Sequence, residues 1–228
     1  MKRWTLNALV AASVVLTPVL SSAQSWVPFG TGYWLAGAGQ SGGSGFVTDS
    51  GTCAVGPACP YGYTYGGAEL VGGPSDPAAI TAVSFVYKPD KTGGSGGSPR
   101  LVMQFNDGGQ ASLRPLNWVA GVWAPVNGLA TTPTEAWDND VGGCGYLYNT
   151  TWTAIVACHP GAAITAIYII NDSFWLAGYD PEEVILDDVN VNGITLAPTA
   201  EACKKGGFAA LGFRNQGQCV AFFTSKKP

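Results

Sequence analysis

Carboxylates and tyrosines are the residues of this 228-residue chain whose spacing could do chemistry. In residues 183–191, Asp187 shares parity with Ile185, Val189 and Val191. Alternate residues of a strand share a face, so its carboxylate is expected on the apolar side. A charge there must be paired, hydrogen-bonded or metal-bound. Calcium fits that chemistry, because it gathers six to eight oxygens from carboxylates and loop carbonyls. Asp187 or Asp188 would supply a ligand, Asp138 and Asp140 of Trp137-Asp138-Asn139-Asp140 could add oxygens, and carbonyls beside Gly142 and Gly143 would be available. The alternative is that Asp187 accepts bonds from backbone or a Trp N–H. Asp138-x-Asp140 is no EF-hand loop, since the downstream acidic ligand is missing. Apart from this structural Ca²⁺, no cofactor is required.

Tyr61, Tyr63 and Tyr65 alternate, so in an extended segment all three face one way. They follow directly on Cys53 and Cys59, whose loop would stiffen them. Rigid aromatics with polar tips suit stacking on sugar faces. An inward-facing core row is the other reading. Tyr33-Trp34 and Trp137 are further candidates for ligand contact.

For catalysis the inventory is thin. His159, the one histidine, sits between Cys158 and Pro160, and no Gly-x-Ser-x-Gly elbow supplies a nucleophile. A glycosidase needs two carboxyls about 5–10 Å apart. Glu182-Glu183 and Asp187-Asp188 offer acids, but the Glu-x-Asp-x-x-Glu run of sandwich glycosidases is absent, and Tyr179-Asp180-Pro181-Glu182 reads as a turn. The expectation is a non-catalytic protein. A secreted polysaccharide hydrolase and a purely structural envelope protein are the alternatives.

The elements that must position these residues are strands. The chain holds 32 glycines and only 11% charged residues, and it lacks long runs of helix formers. Its 46% apolar content can bury a core, which argues against disorder. Residues 80–87, 100–105, 110–113, 163–170 and 183–191 read as strands. Asn106-Asp107-Gly108-Gly109 and Asn192-Gly193 read as hairpin turns, and the Gly/Ser-rich residues 92–99 read as a long hairpin loop. Thr151 can cap a short helix whose Trp152, Ile155 and Val156 share a face, and Pro160 ends it. The fold class expected is an all-β antiparallel sandwich with one short helix.

Residues 1–23 read as a signal peptide: Lys2 and Arg3, an apolar run over 6–19, then Ser21-Ser22-Ala23, with Gln24 beginning the mature chain. No later apolar run reaches the ~20 residues of a membrane span. Six cysteines in an exported chain read as three disulfides, most simply Cys53 with Cys59, Cys144 with Cys158 and Cys203 with Cys219. Zinc lacks a Cys-x-x-Cys pair and has one histidine to draw on. Residues 24–198 would be the sandwich and 199–228 a cysteine-framed appendage. The body carries fourteen acids against Lys88, Lys91, Arg100 and Arg114, a balance of −10, whereas the appendage carries five bases against Glu201, a balance of +4. An acidic body excludes nucleic acid as main partner. A basic tail could dock on its own domain or on an anionic polymer, or stay solvated. Oligomeric state is not written in the sequence.

Two resemblances add to this. Cys203-Lys204-Lys205-Gly206-Gly207-Phe208 through Asn215-Gln216-Gly217-Gln218-Cys219-Val220 resembles the "CK-x-GGW…NQGQCV" C-terminal segment of secreted bacterial proteins, with Phe208 where Trp is usual. Residues 152–160, 163–170, Asn171-Asp172 with Trp175, and 187–193 resemble the C-terminal half of jelly-roll or concanavalin-like sandwiches. That resemblance implies a bacterial secreted or cell-surface protein, a carbohydrate-binding or envelope role, and the calcium site described above.

Overall fold

The structure, a computed structural model, describes residues 24–52, 63–90, 99–115, 119–129, 135–172, 182–204 and 206–225. In chain order the first strands are β1 (Ser25–Gly30), β2 (Tyr33–Leu35), β3 (Gly45–Thr52), β4 (Tyr63–Thr64), β5 (Gly66–Val71), β6 (Val83–Pro89) and β7 (Arg100–Phe105). They are followed by β8 (Gln110–Pro115), β9 (Ala124–Asn127), β10 (Glu135–Val141), β11 (Leu147–Thr150), β12 (Ile164–Asn171), β13 (Glu182–Val191) and β14 (Ile194–Thr195). Helix α1 (Trp152–Cys158) lies between β11 and β12, and α2 (Gly207–Ala210) and α3 (Gln216–Ser225) follow the last strand.

These strands form the all-β sandwich expected from composition. One antiparallel sheet runs β1-β5-β12-β7-β8-β10-β11, and the other β2-β3-β13-β6-β9, with β14 on β13 and β4 on β3. Period-two alternation builds the core between them. Val83, Phe85 and Tyr87 of β6 are buried while Ser84, Val86 and Lys88 are partly exposed. Leu101, Met103, Phe105, Ala111 and Leu113 oppose them from β7 and β8, and all join one apolar cluster. Each Val, Leu, Met or Phe among them contributes about 1.5–3 kcal/mol when fully buried.

Helix α1 follows its sequence signals: Thr151 Oγ1 accepts from Ala154 N (3.3 Å), and Trp152 and Ile155 are buried. Cys144–Cys158 and Cys203–Cys219 are bridged as expected. Cys53, Cys59 and the signal-peptide residues lie outside the described residues.

Two expectations are corrected. Residues 80–87 and 100–105 do not form a hairpin, because β6 pairs with β13 and β9 in one sheet and β7 with β12 and β8 in the other. Glycine and serine between two strands mark a connection but do not say whether it turns back or crosses. Nor does Asp187 face the core. Buried residues of β13 are Val184 and Leu186, then Val189 and Val191. The register against β6 shifts between Asp187 and Asn190, and Asp188 adopts φ +50°. This bulge inserts one residue and switches parity, so Asp187 keeps the outward sense of Ile185.

The C-terminal segment packs on the sandwich. Cys203, Leu211 and Cys219 are buried in the same cluster as the two sheets, and Phe208 is partly buried against it. Ala36, just past β2, donates its N–H to the carbonyl of Ala210 (2.9 Å).

Candidate ligand-binding face

The outward face of the second sheet brings together an aromatic residue, a lysine and three acids. Tyr33 pairs with Val47, Val47 with Ile185, and Ile185 with Lys88, so these four form one row across β2, β3, β13 and β6. Three inter-strand steps put about 14 Å between its ends. Its middle is apolar: Val47 points outward but is fully covered by its neighbours, and Ile185 beside it is half-buried. One end is Tyr33, 40% exposed and so able to offer its ring. The other end is Lys88, whose Nζ lies 5.3 Å from the ring centre of Trp123.

Beside this row stands a row of acids. Asp49 lies directly opposite Glu183, and Asp90, at the end of β6, donates its N–H to the Glu183 carbonyl (3.0 Å). Residues opposed across an antiparallel pair have Cβ atoms about 4.5–5.5 Å apart, and like charges there are destabilising. Burial, and then the charge of Asp90, pushes the Asp49 carboxyl up. Burial foremost, followed by Asp49 and Asp90, raises Glu183, with Lys88 pulling the other way. Tyr33 is raised by burial, then by Asp49 and Glu183. These mutual effects tie phenol and carboxyls into one electrostatic unit. Thr31 fixes its geometry, donating Oγ1–H to the Asp49 carbonyl (2.6 Å) and accepting from Asp49 N (3.1 Å). Among the described residues no ion pair neutralises the row.

The arrangement can hold a polyhydroxylated ligand. Carboxylates accept from hydroxyl groups, while the phenol ring, with the half-buried Ile185, meets C–H faces.

The residues singled out in sequence are distributed elsewhere. Trp137 is a correction: it is 1% exposed, donates Nε1–H to the Gly128 carbonyl (2.7 Å) and packs on Trp152, so it offers no face to a ligand. Tyr65 is exposed, beside Phe29. Tyr63 belongs to β4, but its side chain, like all of Tyr61, lies outside the described residues.

Asp138 is on the outward side of the first sheet, where Oδ2 pairs with Arg114 and Oδ1 accepts from Asn149 N (2.9 Å). Asp140 follows in the same strand. Asp187 lies on the second sheet, accepting from Gln40 N and Asp188 N (both 2.9 Å), and Asp188 is exposed beside it. The four aspartates therefore divide between two sheets. Among the described residues no group of three or more His, Cys, Asp and Glu side chains could hold a metal ion.

His159 is buried with both ring nitrogens occupied, by Asp107 and Asn139. Sequence reasoning missed Asp49 and Asp90 and gave Tyr33 second rank. Asp49 carried no period-two signal, since Phe46-Val47-Thr48-Asp49-Ser50 does not alternate between apolar and polar residues.

Comparison with protein-family models, curated proteins and solved structures finds no match for this chain, so the face is read from its own chemistry.

Proposed function

We propose that this protein is a non-catalytic, exported β-sandwich that binds a polysaccharide or another hydroxyl-rich cell-envelope polymer through the outward face of its second sheet. The carrying observation is the row of like charges Asp49–Glu183–Asp90, which no ion pair among the described residues neutralises, beside the Tyr33–Val47–Ile185–Lys88 row. Opposed like charges work against folding, and a ligand whose hydroxyls fill the row gives a reason to keep them. Two disulfides suit an oxidising compartment, and no helix among the described residues is long and apolar enough to cross a membrane.

A glycan array and retention on insoluble cell-wall polysaccharides test the proposal. Wild type is expected to bind, with Tyr33→Ala and the Asp49→Asn/Glu183→Gln pair weakening retention at least tenfold while melting stays cooperative. Wild-type retention by both variants overturns the assignment of the face. No binding to any glycan returns the protein to a structural envelope role.

The Asp49–Glu183 opposition also favours a second reading. Retaining glycosidases hold their two carboxyls about 5–5.5 Å apart, and one of them has a raised pKa. Reducing-sugar release that disappears in Glu183→Gln would make the protein a hydrolase acting on the same class of polymer.

A further inference from the structure

His159, the chain's one histidine, has acceptors on both sides. The residue is 1% exposed, and its ring stacks on Phe105 with centroids 4.2 Å apart and planes 15° apart. Glycines make room for it: a Cβ on Gly109 would fall 2.1 Å from Cε1, and one on Gly143 3.0 Å.

Nε2 lies 2.7 Å from Asn139 Oδ1. The amide cannot be turned over, because its Nδ2 already donates to the carbonyls of Gly142 and Gly145. Reversal would set the amide oxygen against two carbonyl oxygens. Asn139 therefore presents an acceptor, and Nε2 must donate.

Nδ1 lies 2.7 Å from Asp107 Oδ2, and Asp107 Oδ1 accepts from Gly109 N (2.8 Å). The hydrogen bond with His159 is the main influence holding the Asp107 carboxyl below the usual carboxylate range, so Asp107 too is an acceptor. A neutral imidazole donates from one nitrogen only; the imidazolium donates from both.

We propose that His159 is held as a buried imidazolium that latches three pieces together: the β7–β8 turn through Asp107, the β10–β11 connection through Asn139, and the end of α1, whose C-cap it is. The latch is alkali-sensitive. Loss of one ring proton turns a donor into a lone pair facing an acceptor, and the ring, with no exposed side-chain surface, cannot turn to water instead.

Among the described residues, Asp107 is the ionisable group bonded to the ring. Asp76 lines the cleft beside His159 but accepts from Ala78 N (2.8 Å). The neighbouring Cys144–Cys158 bridge does not titrate. A proton bound by the folded protein and released by the unfolded chain makes stability fall as pH rises.

Nitrogen-15 NMR of the wild-type protein reads this directly, since one histidine gives one pair of ring signals. Near neutral pH both nitrogens are expected at protonated shifts, and one unprotonated-type nitrogen in the folded protein overturns the proposal. The melting temperature should fall on going from neutral to mildly alkaline pH, and the slope should shrink in Asp107→Asn, which removes the counter-charge. A flat wild-type profile, or an unchanged slope in the variant, also overturns it.

Discussion

Glu183 lies opposite Asp49 on β3 and beside Asp90 past the end of β6, and that crowding has a measurable sign. Both Asp49 and Glu183 are raised above their ordinary values, so the folded state holds their protons more tightly than the unfolded chain does. Their contribution to stability is greatest in acid and is lost as pH climbs through the folded values. Glu183→Gln is expected to raise the melting temperature at neutral pH by about 1–3 °C, an effect that shrinks in high salt, while ligand retention falls. Scanning calorimetry at two salt concentrations checks this. Asp107 has the opposite sign. Its lowered carboxyl adds stability that is present above about pH 4 and disappears as acid protonates it, so Asp107→Asn should flatten the acid side of the melting profile. Trp137→Phe should cost about 1–3 kcal/mol in urea unfolding without changing ligand binding, because the lost groups are a buried hydrogen bond and core contacts with Trp152.

At the scale of elements, the bulge in β13 decides which side chains the outer face receives. Asp188 holds φ +50°, a conformation that asparagine, aspartate and glycine tolerate and β-branched residues do not. Asp188→Val should destabilise by about 1–2 kcal/mol and Asp188→Gly should be close to neutral, measured by equilibrium denaturation. The bulge also marks where local sequence stops being sufficient. The 192–193 hairpin, the Thr151 cap and the 100–105 and 110–113 strands were legible because each depends on residues within a few positions. Asp187 was assigned to the wrong face because unbroken alternation carries no mark of an inserted residue. A second bulge in β12, between Ile164 and Ala166, is equally silent. The acidic row was hidden for another reason. Asp49 and Glu183 are 134 positions apart, and only strand order makes them neighbours.

For the molecule as a whole, the C-terminal segment is part of the same packed unit as the sheets. Cys203, Leu211 and Cys219 share their apolar cluster, so unstapling the segment should be felt throughout. A Cys203→Ala/Cys219→Ala pair is expected to lose about 3 kcal/mol in one cooperative transition, and two separate transitions would show the segment to be independent. Strand order has a consequence for how the chain is made. β12 joins β5 to β7, and β13 joins β3 to β6. Strands synthesised early thus wait for two of the last to emerge. Trp26 reaches even further, donating to the carbonyl of Ile194, 168 positions on. These two strands act as keystones set late in the arch. Until residues 164–171 emerge the first sheet is split between β5 and β7, and until residues 182–191 emerge the second is split between β3 and β6. Such long-range closure is slow, in milliseconds to seconds. The polypeptide therefore remains threadable for most of its length, and its second sheet closes only when 191 of its 228 residues have been delivered.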